Sequence, residues 1–286
     1  MNITIKHLAA LVVSSMISLS ASANILVPAY FYPSFDPAQS NWDEMTAAAS
    51  KTQITAIMNP ASGPGSAVNN DYTLAVNTFR AAGGKVIGYV PTNYGARLQA
   101  DVLAEVNNYQ NFYHVDGIFL DEMSNQAVNL AYYQTLYGSI KGINNQFNVF
   151  GNAGTNTLEG YLNAADVLVT FENQAGYESY MPDAWTQNYA ANRFAHLIYN
   201  VDSTSTMLSY LALAEQRNVG YVYVTNDNNT NVNSLNNPWD TLPSYWDAEV
   251  NAVATPLPAS GMLLLSGLGF LGFGGTKLKN KLQHRL

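Results

Sequence analysis

The chain has 286 residues, of which 48% are hydrophobic and 11% charged, so it can form a large folded domain and is too apolar to be disordered. It contains no cysteine and four histidines, which excludes disulfide scaffolds and Cys nucleophiles and argues against a multi-His metal site. All twenty Asp and Glu lie between Asp36 and Glu249 beside only seven Lys and Arg, a charge of −13 that argues against nucleic acid as a partner and suits neutral or cationic ones.

The first 23 residues have the layout of a secretory signal peptide. Lys6 is followed by an apolar run over residues 8–19 and then by Ala21-Ser22-Ala23. This A-x-A pattern predicts cleavage before Asn24. An uncleaved membrane anchor is the alternative, but the apolar run is short for a membrane span. We therefore expect an exported protein.

Eight short apolar segments then alternate with stretches of helical spacing. The predicted strands are Ile25–Tyr32, Ile54–Asn59, Lys85–Pro91, Gly117–Asp121, Asn148–Asn152, Val167–Glu172, Arg193–Tyr199 and Gly220–Thr225. The predicted helices are Trp42–Ser50, Tyr72–Ala82, Ala100–Phe112, Val128–Ile143, Thr157–Ala164, Ala184–Tyr189 and Ser205–Arg217, and Asn233–Trp246 closes the series. Apolar strands that each precede a helix predict a parallel sheet covered on both faces, so residues 24–250 are expected to form one α/β domain, a (β/α)8 TIM barrel. A doubly wound open sheet is the alternative.

Acidic residues stand where two of these predicted strands end. Strand four runs into Asp121 and Glu122, and strand six ends at Glu172. In such a barrel the active groups project from the carboxyl ends of the strands. Carboxylates at an apolar rim are partly desolvated and close together, so their pKa values should separate. One ionised and one protonated carboxyl group are what the hydrolysis of a glycosidic bond requires.

Helix capping is the alternative role for these acids, because acids favour helix N-termini. Neighbouring strand residues face opposite sides, so one of Asp121 and Glu122 is expected to cap or to point away. His196 is expected to be a buried core histidine, since no G-x-S-x-G motif accompanies it. The stretch Asn226–Asn237 does not fit the EF-hand pattern and is interpreted as a long loop. No cofactor or metal is expected.

Amides and tyrosines fall at or near the other strand ends and suit a carbohydrate ligand. Sugar rings pack their C–H faces on aromatic rings, and their hydroxyls bond to Asn and Tyr. For any single tyrosine, a core or surface position is the alternative. The candidate substrate-binding residues are Tyr30, Tyr32, Asn59, Tyr94, Asn152, Tyr199 and Asn226.

Residues 251–286 have the layout of a C-terminal sorting signal. Pro256-Leu257-Pro258 precedes an apolar segment, residues 261–275, and a basic end follows. The segment is short for a membrane span, and basic residues after it are typical of a cytoplasmic end. The layout resembles the PEP-CTERM signal of bacterial exported proteins, although Leu257 stands where Glu is usual. This resemblance implies transient membrane anchoring and an envelope or extracellular product in a bacterium that makes exopolysaccharide.

Four motifs in order resemble the spherulation-specific, spherulin-4-like family over residues 26–246. They are Pro28 with Tyr32-Pro33, the run Asn59–Gly65, the run Gly88–Tyr94 and the run Asp116–Glu122. Members look like (β/α)8 glycoside hydrolases, and characterised relatives cut α-1,4-linked galactosamine or N-acetylgalactosamine polymers of biofilm matrices. The resemblance implies that the family's acidic pair falls on Asp121 and Glu122, and its strand-six Glu on Glu172.

We therefore expect an exported, monomeric, endo-acting glycoside hydrolase for an amino-sugar polysaccharide. Asp121 is expected to be the nucleophile, Glu172 the general acid/base, and Glu122 a modulator or a substitute for either. Whether the reaction retains or inverts configuration stays open. The acidic charge favours a partly deacetylated, cationic polymer. A non-catalytic polysaccharide-binding or biofilm-matrix protein on the same barrel is the alternative; a deacetylase would need a His and Asp metal site.

Overall fold

The computed structural model describes residues 23–33, 40–228 and 237–255, and within these ranges eight parallel strands close into a barrel in chain order. The strands are β1 (Asn24–Ala29), β2 (Ile54–Met58), β3 (Lys85–Pro91), β4 (Gly117–Asp121), β5 (Asn148–Asn152), β6 (Val167–Asn173), β7 (Phe194–Ile198) and β8 (Tyr221–Val224). The predicted TIM barrel is confirmed. The open-sheet alternative is wrong, because β1 pairs with β8 through Ile25 and Val222.

Six α-helices surround the barrel in the described residues. They are α1 (Asn41–Ala49), α2 (Asn70–Ala81), α3 (Gln99–Tyr113), α4 (Leu130–Ile143), α5 (Thr204–Gln216) and α6 (Trp246–Ala254). Side-chain oxygens of Ser40, Asn69 and Ser203 accept backbone N–H bonds at the start of α1, α2 and α5. Close packing of α3 on β3 depends on Gly88, where a Cβ would lie 2.4 Å from the ring of Tyr109. Each of the six helices has buried side chains on one part of its surface.

Two predicted helices are absent from the described structure. Thr157–Ala164 contains only the 3₁₀ turn Glu159–Asn163, and Ala184–Tyr189 contains only Ala184–Asn188. Segments of eight residues or fewer gain too few backbone hydrogen bonds to offset helix nucleation, so these connections settle as 3₁₀ turns. The closing segment also differs, because its described part forms turns and α6 begins only at Trp246. This helix continues to Ala254, past the expected domain end at residue 250.

The predicted signal peptide and sorting signal lie outside the described residues, except for Ala23 and residues 251–255. Part of the predicted Asn-rich loop, residues 229–236, also lies outside them. Among the described residues, no helix is long and apolar enough to cross a membrane.

Candidate active site

Asp121 and Glu172 are held together by one side chain. The amide nitrogen Nδ2 of Asn152 donates to Oδ1 of Asp121 over 2.7 Å and to Oε2 of Glu172 over 2.5 Å. These two carboxylate oxygens are therefore separated by at most the sum of the two lengths, 5.2 Å. Asn152 is 7% exposed, and its Oδ1 has no hydrogen-bond partner among the described residues. The structure thus brings together the two acids, Asp121 and Glu172, that the sequence placed at strand ends.

A β-bulge in β6 directs Glu172 into the barrel. Val169 pairs with Ala195 whereas Phe171 pairs with His196, so Thr170 is an extra residue in this strand. Val169 pairs with Asn152 on β5 and shares its inward face. Uninterrupted alternation from Val169 would have directed Phe171 inward and Glu172 outward. The extra residue reverses this order, and Glu172 reaches the amide of Asn152.

Phe171 lies on the outer side of the barrel wall as a result. Its ring packs at 4.9 Å from the rings of Tyr177 and Tyr180. His196 lies in the same layer, where its Nε2 is 3.1 Å from the hydroxyl of Thr170 and its Nδ1 is 2.9 Å from that of Tyr177. Burial lowers the pKa of His196 to about 3, so the ring is neutral. The expectation of a buried core histidine is confirmed.

Two further donors complete the surroundings of the carboxylates. The hydroxyl of Tyr89 on β3 donates to Asp121, and the indole N–H of Trp239 donates to Glu172. Trp239 is 6% exposed, and its ring lies 5.4 Å from that of Tyr199. Sequence reasoning assigned neither residue to the site. Strand alternation could have indicated Tyr89, whereas no local pattern indicates Trp239, because its loop reaches the site only in the folded chain.

The protonation of Glu172 is set by its surroundings. Burial raises its pKa to about 7, and the nearby charge of Asp121 acts in the same direction. The hydrogen bonds from Asn152 and Trp239 act in the opposite direction and lower it. Burial, reinforced by the charge of Asp121, also raises the pKa of Tyr89 far above its usual range. Tyr89 therefore remains a neutral donor while Glu172 exchanges its proton near neutral pH.

Glu122 faces away from this pair. Its backbone lies in the left-handed region, with φ at 51°, and its Oε2 accepts the N–H of Asn93 over 3.0 Å. Its carbonyl accepts the N–H of Tyr94 over 2.8 Å and the hydroxyl of Thr92 over 2.9 Å. One of the two adjacent acids was expected to point away, and the structure identifies it as Glu122. Its contacts order the loop after β3 beside Asp121.

Three of the seven candidate binding residues lie around the carboxylates. Asn152 bridges them, and Tyr30 packs edge-on against Tyr89 with ring centroids 5.5 Å apart. Tyr199 is one step farther out, against Trp239. The amide of Asn152 and the phenol of Tyr30 thus lie beside the carboxylates, and the partly exposed Tyr199 lies next to Trp239.

The other four candidates have different contacts. Tyr32 is 56% exposed and donates its hydroxyl to Asp71 at the start of α2. Asn59 and Asn226 use their side-chain oxygens to accept backbone N–H groups of Gly63 and Ser244, over 2.9 and 2.7 Å. These three side chains therefore bind the protein itself. The fourth, the tyrosine at position 94, projects from the rim and is 61% exposed.

The short distance between Asp121 and Glu172 allows both carboxyl groups to act on the same carbon atom of a ligand. Retaining glycosidases hold their two carboxyl groups about 5–5.5 Å apart, whereas inverting ones need about 6.5–9.5 Å to admit a water. The two oxygens bridged by Asn152 lie at most 5.2 Å apart, below the range of the inverting class. Among residues 23–33, 40–228 and 237–255, no group of three or more His, Asp or Glu side chains is placed to hold a metal ion.

Comparisons with known proteins agree with this barrel. A model of spherulation-specific family 4 matches residues 24–253. Spherulin-4 of Physarum polycephalum is 35% identical over 251 residues, which cover 82% of this chain and 71% of that protein. The crystal structure of Aspergillus clavatus Sph3 in complex with GalNAc superposes with a TM-score of 0.69 at 21% identity, covering 82% of this chain and 98% of the other. A cyclic α-maltosyl-(1→6)-maltose hydrolase of Arthrobacter globiformis superposes with a TM-score of 0.51 at 8% identity over 82% of this chain and 81% of that chain.

Proposed function

Since the chain belongs to spherulation-specific family 4, we propose that it is a retaining glycoside hydrolase that cleaves an amino-sugar polysaccharide. The observation that carries the proposal is the pair of carboxylates bridged by Asn152. The barrel fold, which the chain shares with the GalNAc-bound Sph3, is consistent with it. We further propose that the protein is exported, acts as a monomer and cuts within chains, in line with the signal peptide and sorting signal expected from the sequence.

In the first step Asp121 attacks the anomeric carbon, and the bond to the leaving oxygen breaks. Glu172 gives its proton to that oxygen, for which its pKa of about 7 is suited. In the second step Glu172 takes a proton from water, the hydroxide attacks the same carbon, and the bond to Asp121 breaks. Two displacements at one carbon retain its configuration. Tyr89 and Asn152 donate hydrogen bonds to Asp121 and hold the attacking oxygen in place.

The charge around the mouth supports a cationic substrate. Acids lie at strand ends or in the first turns of helices, on the side where the site opens: Asp43, Asp71, Asp101, Asp121, Glu122, Glu172 and Asp247. A partly deacetylated galactosamine polymer carries ammonium groups that such a surface attracts. Binding should therefore be tighter for the deacetylated than for the acetylated chain, and the difference should shrink as salt is added. Equal binding across the salt series would remove this part of the proposal.

Incubation with purified galactosamine and N-acetylgalactosamine polymers, with products identified by mass, tests the activity. Shorter oligosaccharides should appear with the natural chain and not with Glu172→Gln. A matched control is Glu215→Gln on α5, whose side chain lies at the opposite end of the barrel. If the natural chain binds polymer but releases no new reducing ends, and Glu172→Gln binds equally well, the protein is a non-catalytic binding protein instead.

A further inference from the structure

The face of the barrel opposite the site carries most of the positive charge in the described residues. Parallel strands begin at this N-terminal face, and the helices end there. Of the seven Lys and Arg in residues 23–33, 40–228 and 237–255, Arg97 alone follows the carboxyl end of a strand. The other six lie at helix ends, in the loops that lead into strands or at a strand start: Lys51, Arg80, Lys85, Lys141, Arg193 and Arg217.

Part of this charge is free to act on a partner. Arg80 pairs with Asp116 at 2.8 Å, and Lys141 pairs with Asp166 at 2.6 Å. Lys51 and Lys85 are exposed, and neither has an ion pair within the part of the chain that the structure describes. Arg80 and Lys141 lie in the last turns of α2 and α4, where attraction to the helix C-terminus can account for them. Lys51 lies in a loop and Lys85 at the start of β3, so this attraction does not account for them.

A cavity of about 470 Å³ opens on the same face. Its lining includes the cationic side chains of Arg80 and Lys85, together with His114 and the acidic Asp116. Gln110 also lines it, and its buried side-chain oxygen has no hydrogen-bond partner among the described residues. The volume is in the range of small-ligand sites. Arg80 is paired with Asp116, so Lys85 is the cation of this lining that has no ion pair among the described residues and can attract an anionic headgroup.

The chain leaves the described structure toward this face. At the start of α6, Tyr245 donates its hydroxyl to the carbonyl of Val201, just after the carboxyl end of β7. Helix α6 therefore starts at the mouth and runs antiparallel to the strands, so that Thr255 lies toward the N-terminal face. Five residues separate Thr255 from Gly261, the first residue of the apolar segment, and this stretch of chain spans at most about 22 Å.

We propose that the N-terminal face rests on an anionic phospholipid bilayer, into which residues 261–275 insert, so that Asp121 and Glu172 face away from the membrane. The 15-residue helix α3 is about 22 Å long and gives the approximate height of the barrel. The tether is no longer than this height, which keeps the N-terminal face near the lipid. Within a Debye length of the surface, anionic headgroups attract the exposed lysines. The inference does not depend on the proposed activity.

The absence of cysteine allows single labels to report this orientation in the full chain. Gln146→Cys places a fluorophore at the N-terminal face, in an exposed position that lines the cavity. Val128→Cys places one on the mouth side, where the side chain is 84% exposed. Each labelled chain is reconstituted into vesicles that carry a headgroup quencher, made of phosphatidylcholine alone or mixed with phosphatidylglycerol. We expect quenching at position 146, stronger with phosphatidylglycerol, and little quenching at position 128.

Charge variants separate electrostatic docking from simple tethering. The double change Lys51→Gln with Lys85→Gln should return the quenching at position 146 to its value in neutral vesicles. The matched change of both lysines to Arg, which keeps the charge, should leave the quenching unchanged. Equal quenching at positions 128 and 146, or no dependence on phosphatidylglycerol, would overturn the proposal. Shielding of position 146 by soluble dextran sulfate but not by vesicles would also overturn it, in favour of an anionic polysaccharide.

Discussion

Asp121 and Glu172 accept hydrogen bonds from the same nitrogen atom, Nδ2 of Asn152, over 2.7 and 2.5 Å. One amide thus sets both the distance between the carboxylates and their relative orientation. Tyr89 holds Asp121 from the β3 side, and Trp239 holds Glu172 from the loop after β8. Hydrogen bonds therefore fix the positions of both carboxylates, which are expected to act together in catalysis.

Removing either carboxylate should abolish most of the activity without unfolding the barrel. General acid–base catalysis contributes about 10²–10⁴-fold, so Glu172→Gln should lower kcat by roughly that factor. Asp121→Asn should do at least the same, because it removes the nucleophile. Release of reducing ends measures the loss, and thermal unfolding confirms the fold. A Glu172→Gln protein with kcat within threefold of the natural one would contradict the assignment.

Activity should decline as the pH rises through about 7. The pKa of Glu172 is raised to about 7 by burial and by the charge of Asp121, and the first step requires the protonated form. At higher pH Glu172 loses its proton and can no longer assist the leaving oxygen. A profile of kcat/KM against pH measures this limb for the free enzyme. A limb centred near the usual pKa of a glutamic acid would show that the site is more solvated than the structure indicates.

Replacing Asn152 by Ala should shift that alkaline limb to higher pH. The hydrogen bond from Asn152 lowers the pKa of Glu172, so its loss raises the pKa further. With the bridge gone, the carboxylates also lose their spacing, and kcat should fall about 10- to 100-fold, in the range expected for lost positioning. Asn145→Ala, in an exposed turn after α4, is the matched control and should change neither quantity. If kcat falls but the alkaline limb of the pH profile does not shift, Asn152 does not affect the pKa of Glu172 and only helps to pack the site.

A second buried acid, Glu249, should make stability depend on pH. It lies fully buried on α6, where its Oε1 accepts the N–H of Val224 over 2.9 Å, and burial raises its pKa to about 8. The folded chain therefore holds this proton more tightly than the unfolded one, and stability is lost as the pH rises from about 4.5 through about 8. Glu249→Gln keeps the acceptor but cannot ionise.

Thermal unfolding at about pH 5 and about pH 9 compares the two proteins. At the higher pH, Glu249→Gln should unfold several degrees above the natural chain, since about 1 kcal/mol shifts Tm by 2–4 °C in a protein of this size. At the lower pH the two should unfold at nearly the same temperature. A Tm difference of the same size at both values would show that ionisation of Glu249 does not limit stability.

The barrel could be predicted because its signal is local and repeated. The bounds of β3, β4 and β5 agree with the prediction at every residue, since each is a short apolar run between polar turns. The rule that strand-end side chains meet at one end of a barrel then predicted that Asp121 and Glu172 lie close together, as they do. The 3₁₀ connections after β5 and β6 were mistaken for helices, because buried residues such as Tyr161 and Leu162 give the same short-range pattern in both.

The rest of the site depends on features that periodicity does not encode. The extra residue Thr170 reverses the side to which Glu172 points, and the left-handed backbone of Glu122 turns its carboxylate toward Asn93. Trp239 reaches Glu172 from more than sixty residues farther along the chain. Each of these features is a consequence of tertiary packing. The strand ends alone could therefore indicate which acids lie close together, but not which groups hold them in position.

The anomeric configuration of the first product tests the central claim most directly. Proton NMR, recorded early in the digestion of an α-linked galactosamine polymer and before mutarotation, distinguishes the two anomers. Because Asn152 holds the carboxylate oxygens within 5.2 Å of each other, Asp121 can attack the carbon whose leaving group Glu172 protonates, and the new reducing ends should be α. New reducing ends that appear as the β anomer would contradict the account.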